Sequence, residues 1–514
     1  MPHIPDIASV FSSHTLKAGQ NIVFLTPFFL VLGFLVIAGI CRKIYATRMN
    51  SASLPPSPAK HWFWGNKAIL GQPHRHVLLG TKYKRELGDI ISTMTLTKTN
   101  VYLNTMELAT ELLDKHASVT SNRPRDIMTN ELLGWGASPA LRNHDEVQKK
   151  MRRVLASALH PTAARSYASQ HLDTALGLLR EIASNPSSFM ASTDAAIATF
   201  TVRLAYGYTP KSQQDPTLFM VYDAIRYVGI SLSNHWLVND FPLLKYIPSW
   251  FPGAEFRRIG KKGYASRMRY VSTLFDRVFE QVRQGQVEQP SYVSGLLESK
   301  GGANANSDDT YLIKWTGASI FTAGSTTTSG LIKAFFLMAC LNPEAVKKAQ
   351  SEIDSVVGRE RIPSLQDRPE LPYTDAFVQE IMRMFPPAPL DPHRAILRDP
   401  KHFASPSTFN PSRFLGSKPE LDPRKFIFGF GRRVCPGLHV ANNSVWITCA
   451  ALLSVFDIRA GSQLAAKVAS LGGRDSERLY ELTEPYGASD VSPFDCEIKP
   501  RDAAAVSVLD NSAQ

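Results

Sequence analysis

Phe428-Gly429-Phe430-Gly431-Arg432-Arg433-Val434-Cys435-Pro436-Gly437, with the apolar run from Leu438 to about Phe456 behind it, decides how the rest of this chain is read. The two glycines of the loop permit a tight, bulged turn. Pro436 suits a first helical turn, where a missing N–H costs nothing. Cys435 is thereby set at the N-terminus of an apolar helix, beside Arg432 and Arg433. Helix dipole and guanidinium charge both favour thiolate over thiol. A thiolate so placed is a ligand or a nucleophile rather than an inert core thiol. A nucleophile needs a base, and His439, the one nearby histidine, has no orienting partner in the sequence. One cysteine in a shielding loop fits an axial ligand to haem iron better.

Two further helices lie upstream. Asp308 caps a helix predicted from about Tyr311 to Leu341, which stops at Asn342-Pro343. At 1.5 Å per residue it spans roughly 45 Å, enough to cross a whole domain. Its centre, Ile320 to Thr328, carries Gly324 and a run of threonines. These are poor helix formers, by up to about 1 kcal/mol each against alanine. A long helix weakened there either has something lying against it or approaches another helix closely at Ala323-Gly324. The second helix runs from about Thr374 to Met384 and is halted by Phe385-Pro386-Pro387. It sets Glu380 and Arg383 on one face, taken alone an ordinary surface pair.

Composition bounds the remainder. A chain of 514 residues with 44% hydrophobic and 20% charged residues, and no repeat or low-complexity tract, is globular and large enough to need no disulfide staples. Five scattered cysteines without a CxxC pair exclude a disulfide framework and a zinc ribbon. Cys41, Cys340, Cys449 and Cys496 read as small buried hydrophobes, each without a visible partner. The net charge of +12 implies either an anionic partner or a solvated basic face. Basic residues are scattered and accompany no binding motif, which argues against nucleic acid. Ile22 to Cys41 holds no charge and is about the length of a bilayer-spanning helix. Lys17 precedes it, and Arg42, Lys43 and Arg48 follow, so the positive-inside rule places the rest in the cytoplasm. The expected organisation is a short luminal segment (1–21), a single-pass anchor (22–41), a basic and Pro-rich hinge containing Leu54-Pro55-Pro56-Ser57-Pro58 (42–60), one large domain (61–501) and a tail without structure (502–514).

The cysteine loop matches the Phe-x-x-Gly-x-Arg-x-Cys-x-Gly signature, and the chain resembles the haem-thiolate monooxygenases, the cytochromes P-450. Glu380-Ile381-Met382-Arg383 matches that family's Glu-x-x-Arg helix, and Phe409-Asn410-Pro411-Ser412-Arg413-Phe414 its downstream arginine segment. Ala323-Gly324-Ser325-Thr326-Thr327-Thr328 resembles its oxygen-binding motif. Four matches in order extend the likeness over nearly the whole chain. Phe241 to Gly253 and Ser492 to Arg501 further resemble fungal secondary-metabolism enzymes similar to O-methylsterigmatocystin oxidoreductase.

The resemblance implies a mainly α fold with a small β region and haem b as cofactor. It makes Cys435 the proximal iron ligand, shielded by Phe428. Arg433, Arg152 and His393 are then the partners of the haem propionates. Ala323 and Gly324 leave room for dioxygen and substrate, and Thr327, beside Thr326, delivers protons. Glu380, Arg383 and Arg413 lock the fold around the loop. Because Gly429-x-Gly431 lacks a third glycine, no flavin or nicotinamide fingerprint is present, and electrons come from outside. The implied donor is an NADPH-cytochrome P-450 reductase meeting a basic face that includes Lys149, Lys150, Arg432 and Arg433. Arg257, Arg258, Lys261, Lys262, Arg267 and Arg269 rest near membrane lipid or are simply solvated. The expected location is the endoplasmic reticulum membrane, and the expected reaction hydroxylation by O2 of a lipophilic small molecule such as a terpenoid or aromatic intermediate.

Three departures from the family pattern stand out. Thr326 occupies the usual position of an acid, and a hydroxyl relays protons less well than a carboxylate. Gln148 replaces the tryptophan of the Trp-x-x-x-Arg helix, although Arg152 remains. After His393-Arg394 the chain passes directly to Ala395-Ile396, where about two dozen residues of strand-rich sequence, enough for about three short strands, are missing. A genuine deletion and a skipped exon both account for the gap. These departures keep two other readings open: desaturation or ring rearrangement in place of hydroxylation, and an inactive product of the deletion.

Overall fold

A computed structural model describes Cys41 and residues 54–387, 395–484 and 490–511. The expected anchor lies outside the described residues apart from its last, the exposed Cys41, and so does His393. The chain divides into two units, residues 1–67 with 92–101, and residues 68–91 with 102–514.

In the first unit, Asn66 is a buried hub. Its side chain donates to the Pro58 and Ala59 carbonyls at 3.1 and 3.3 Å and accepts from the Met94 N–H at 2.8 Å. Ser92 supplies its hydroxyl to the Pro55 carbonyl and its N–H to that of Pro56. Prolines offer carbonyls but no donors, and these are the donors that meet them. The Leu54–Pro58 stretch, expected as a stiff hinge, is therefore pinned by side-chain and backbone bonds.

The main elements of the chain are α1 (Glu146–Leu159), α2 (Ala168–Ser184), α3 (Phe189–Tyr206), α4 (Pro216–Ser233), α5 (Glu255–Gln284), α6 (Ser307–Leu341), α7 (Pro343–Val356), α8 (Pro372–Met384), α9 (Leu438–Val455) and α10 (Ala503–Asn511). Strands are few: β1 (Ile90–Met94) pairs with β2 (Thr99–Leu103), and β3 (Phe456–Ala460) pairs antiparallel with β4 (Cys496–Pro500). Among the described residues the fold is mainly helical with a small β part, as expected.

The long helix α6 is organised by its ends and its packing. Asn306, rather than Asp308, is the cap, accepting from the Asp309 N–H at 2.9 Å. Asp308 and Asp309 instead sit in the first turn, where negative charge opposes the helix dipole. Asn342 ends the helix and Pro343 opens α7. The hydroxyls of Thr322 and Thr327 bond back to the Ala318 and Ala323 carbonyls at 2.8 and 2.7 Å. From Thr328 to Leu341 every residue is buried, so tertiary packing outweighs the poor propensity of the centre. Both readings of that centre hold. A Cβ on Gly324 would meet Thr201 Cγ2 at 2.7 Å, so α3 and α6 approach closely there. The neighbouring Ala323 faces a cavity.

Helix α9 is long and apolar enough to cross a bilayer, yet Val445 to Leu453 are all buried. It packs into the same core as Ile381, Phe385 and Phe426. Burying each of its large side chains contributes about 1.5–3 kcal/mol. Strand β4 falls where the C-terminal resemblance placed the last strand. The tail beyond it, expected without structure, forms α10. Asp502 caps it by accepting from the Ala505 N–H at 3.0 Å, and Ala505, Val508 and Leu509 enter the core at helical spacing.

Candidate active site

The cysteine loop owes its shape to two backbone requirements. Gly429 and Gly431 both have positive φ, 85° and 50°. Gly431 is the more constrained: a Cβ there would run into the Leu113 carbonyl and crowd the Ala117 side chain. Its N–H donates to Asp114 Oδ1. Cys435 N–H donates to the Phe428 carbonyl at 2.7 Å, closing the loop. Gly431→Ala combines left-handed strain with a backbone clash, about 1–3 kcal/mol. Its expected result is a lowered Tm and a reduced cofactor-to-protein ratio on purification; an unchanged Tm would contradict the close fit.

Two details differ from the sequence expectation. Helix α9 begins at Leu438 with Gly437 as its cap residue, so Pro436 and Cys435 precede the first turn rather than occupying it. Nor do Arg432 and Arg433 set the thiol's charge. Arg432 is exposed and approaches His144. Arg433 turns inward and donates to the carbonyls of Ser121, Pro139 and Arg142 at 2.7, 3.3 and 2.8 Å. The cation that lowers the Cys435 pKa is Arg152, whose Nη2 donates to the Val434 carbonyl at 2.8 Å. Burial is the larger effect and pushes the thiol above its usual range, while a backbone N–H at Gly437 partly opposes it. A coordinated metal reverses this balance, because a ligating thiol gives up its proton.

Cys435 opens on a cavity of about 300 Å³ between α6 and the start of α9. On the α6 side the lining residues are Ser319, Ile320, Ala323, Gly324, Thr327 and Thr328, a stripe at helical spacing. Leu155 and Leu159 of α1 and Ile197, Phe200 and Leu204 of α3 supply apolar walls. Thr326 is not among the lining residues, and none of those residues is a carboxylate.

Three arginines line this cavity: Arg152 and Arg433, expected from the sequence, and Arg123, which was not. Among the described residues Arg123 pairs with no carboxylate, and its Nε donates to the Ala140 carbonyl at 3.0 Å. Burial holds its pKa below the ordinary arginine value. Arg433 is pushed down to about 10, by burial first and then by the charges of Arg123 and Arg152. Guanidinium groups do not deprotonate in proteins, so these depressions measure an electrostatic cost that an anion would relieve. Gln148, one turn before Arg152 on α1, is fully buried. Its Oε1 lies 3.0 Å from His144 Nδ1, and its Nε2 has no hydrogen-bond partner among the described residues. Clustered cations, an orphaned amide donor, apolar walls and one thiol make a donor set suited to haem: a soft axial ligand, apolar surroundings and partners for two carboxylates.

Away from the cavity, Glu380, Arg383 and Arg413 are brought together. Arg383 forks onto Glu380 at 2.7 and 2.8 Å, and Arg413 Nε reaches the same carboxylate at 3.0 Å. All three are buried. The Asn410 N–H adds a bond at 2.9 Å, and Arg383 Nη1 holds the Leu397 and Pro406 carbonyls. Phe428, the expected thiolate shield, is half-buried against the core and does not line the cavity.

Comparison with known proteins agrees with this geometry. The family model described as Cytochrome P450 matches residues 55–396 and 392–467. Its two stretches meet where the strand-rich sequence is missing. Cytochrome P450 monooxygenase 208 of Postia placenta is 30% identical, over 94% of this chain and 98% of its own length. Cytochrome P450 monooxygenase claR of Ampulloclitocybe clavipes is 30% identical, over 98% of this chain and 96% of its own. Cytochrome P450 monooxygenase ppsD of Aspergillus oryzae is 31% identical, over 91% and 93%. The chain belongs to the cytochrome P450 family, haem-dependent monooxygenases that draw electrons from a redox-partner reductase, use O2 and act on small molecules.

Proposed function

We propose that this chain hydroxylates a lipophilic intermediate of secondary metabolism, of terpenoid or aromatic type, at the endoplasmic reticulum membrane. Residues 22–41 are its single-pass anchor, residues 1–21 are luminal, and the domain from about residue 61 faces the cytoplasm. Electrons come from an NADPH-cytochrome P-450 reductase. The observation that carries the reading is a single thiol, Cys435, facing the small-residue stripe of α6 across a cavity with three clustered arginines. Haem supplies the activation of dioxygen when bound.

The chain's own residues do the positioning. Arg123, Arg152 and Arg433 would hold the propionates of the bound cofactor. The apolar walls exclude water from the reacting face. Thr327 Oγ1 donates its proton to the Ala323 carbonyl and keeps lone pairs toward the cavity. Turning that hydroxyl lets it accept a proton from water and pass one inward, the work of a relay without a carboxylate. Thr327→Ala is expected to lower product formed per O2 consumed by roughly 10²-fold, within the range of general acid–base catalysis. Thr326→Ala should change it far less, and equal losses would contradict the assignment of Thr327 alone. Arg123→Gln removes a charge-assisted contact worth about 1.5–3 kcal/mol, so haem should transfer to a scavenging apoprotein roughly 10–100-fold faster. An unchanged transfer rate would remove Arg123 from the cofactor's partners.

Membrane seating is supported by an exposed apolar run, Leu243, Tyr246, Trp250 and Phe251. Arg258, Lys261, Lys262 and Arg269 follow it, all exposed. Aromatic and basic side chains together favour a bilayer interface. Arg267 does not belong to this group. It is buried between the Tyr264 and Trp315 rings and donates to the Gly134 carbonyl at 2.7 Å. On the reductase side, Lys150, Arg153 and Arg432 are exposed, whereas Lys149 pairs with Glu146 at 2.6 Å. Among the described residues no carboxylate lines the cavity, which favours one second reading, desaturation or rearrangement. A reductase-supported assay with product mass analysis decides: hydroxylation adds one oxygen atom, and products lacking it support the second reading.

A further inference from the structure

Cysteines that the sequence leaves unpaired meet in the fold. Cys340 is the penultimate residue of α6, and Cys496 opens β4, 156 residues later. Their sulfurs lie 3.2 Å apart, within reach of a disulfide if they close by roughly 1.2 Å. Strand pairing holds Cys496 in place: it faces Ala460 in the antiparallel β3–β4 register, and Phe494 two residues before it meets the Phe189 ring of α3 edge to face. Cys340 is held by burial at the end of a helix that is entirely buried from Thr328 onward. The two thiols differ in access. Cys340 is buried and Cys496 is half-exposed. The neighbouring Cys496 thiol first, and burial after it, raise the Cys340 pKa, so the buried sulfur is a thiol at rest.

We propose that Cys340 and Cys496 form a reversible dithiol–disulfide site that staples the end of α6 to the C-terminal sheet, closed by exchange with a small-molecule disulfide such as oxidised glutathione. Cys496, as thiolate, attacks one sulfur of that disulfide, and a mixed disulfide forms as the first glutathione leaves as a thiolate and takes up the proton Cys496 lost. Cys340 gives up its proton as it attacks the Cys496 sulfur, the protein S–S bond forms, and the second glutathione leaves as a thiolate that takes up that proton. Two protein thiols are oxidised and one glutathione disulfide is reduced to two thiols. The bridge closes a loop containing Cys435 and the whole cysteine loop, and long closed loops are those a crosslink stabilises most. The site is independent of the haem ligand, since neither sulfur lines the cavity.

The test uses the full-length, haem-loaded protein. It is incubated with oxidised glutathione or with dithiothreitol, alkylated under denaturing conditions, and mapped by peptide mass. Oxidation should give one linked peptide pair containing residues 340 and 496, with loss of alkylation at both cysteines and reversal by dithiothreitol. The Tm of the oxidised protein should rise by several degrees, roughly 5 °C or more. Cys496→Ser, at a half-exposed strand position, and Cys340→Ala should each abolish the linked pair and the Tm rise. Their thiolate-type carbon monoxide spectra should stay intact, which shows that the variants fold. Free alkylation of both cysteines after oxidation would overturn the proposal, as would a mixed disulfide that stops at Cys496 or linkage of either cysteine to Cys449.

Discussion

Cys435→His is expected to abolish the red-shifted, thiolate-type Soret band of the reduced, carbon monoxide-bound protein and to leave a histidine-type spectrum with haem still bound. Cys435→Ala should lose the band and most of the haem. In the loop, the hydrogen bond from the Cys435 N–H to the Phe428 carbonyl fixes the backbone beside the one thiol that lines the cavity. Among the described residues, no group of three or more metal-ligating side chains offers a rival site. Imidazole is itself a proximal haem ligand elsewhere, so the histidine variant separates loss of thiolate character from loss of binding. Product formation should fall by several orders of magnitude in both variants, because the thiolate's electron donation is what favours cleavage of the O–O bond. A Cys435→Ala protein that kept the thiolate-type band would show that another cysteine ligates, and the site would have to move. A wild-type chain without the band would implicate the missing stretch after His393, and transcript sequencing would then decide between a deletion and a skipped exon.

What the sequence disclosed and what it hid follow from the range of each interaction. The cysteine loop was legible because its chemistry is local: two glycines, a proline and a cysteine within ten residues. Helices α6, α8 and α9 were legible from period and punctuation, with errors of a few residues where Asn306 rather than Asp308 caps α6 and where α8 opens at Pro372. Arg123 was hidden because nothing near it in sequence marks it. Only the fold brings it beside Arg152 and Arg433. Thr326 and Thr327 share one motif, but successive helix residues point about 100° apart, and the lining stripe takes only the second. Arg433, read as lying beside the thiol, turns its donors to three backbone carbonyls instead, and its charge adds to those of Arg123 and Arg152. The Cys340–Cys496 contact joins a helix end to a strand across 156 positions, a separation that no local pattern bridges. The tail was misread because α10 needs only three apolar residues to dock.

Glu380→Gln is expected to be the most destabilising conservative change in the domain. In isolation, Glu380 and Arg383 looked like an exposed helix pair worth a few tenths of a kcal/mol. The fold makes them different in kind: Glu380 and Arg383 are fully buried and Arg413 nearly so. One carboxylate serves two guanidinium groups and the Asn410 N–H. An amide in its place would turn an N–H₂ donor toward arginine donors and leave Arg383 as a buried cation without a counter-charge. Removing one partner of a buried ion pair costs about 3–5 kcal/mol. That is a large part of the roughly 5–15 kcal/mol by which a domain is stable. Through Arg383 the loss also releases the Leu397 and Pro406 carbonyls, which hold the chain just beyond the shortened region. The measurement is thermal unfolding with haem absorbance as a second probe, and for a domain of this size Tm should fall by about 3–5 °C. Glu420→Gln is the matched control. It also pairs with Arg413, at 2.6 Å, but is partly exposed, so its loss should cost only about 1 kcal/mol. If Glu380→Gln and Glu420→Gln shift Tm equally, the triad is a surface network rather than the lock that holds the cysteine loop's surroundings, and the stability of the site must be sought in the apolar packing of α6, α8 and α9.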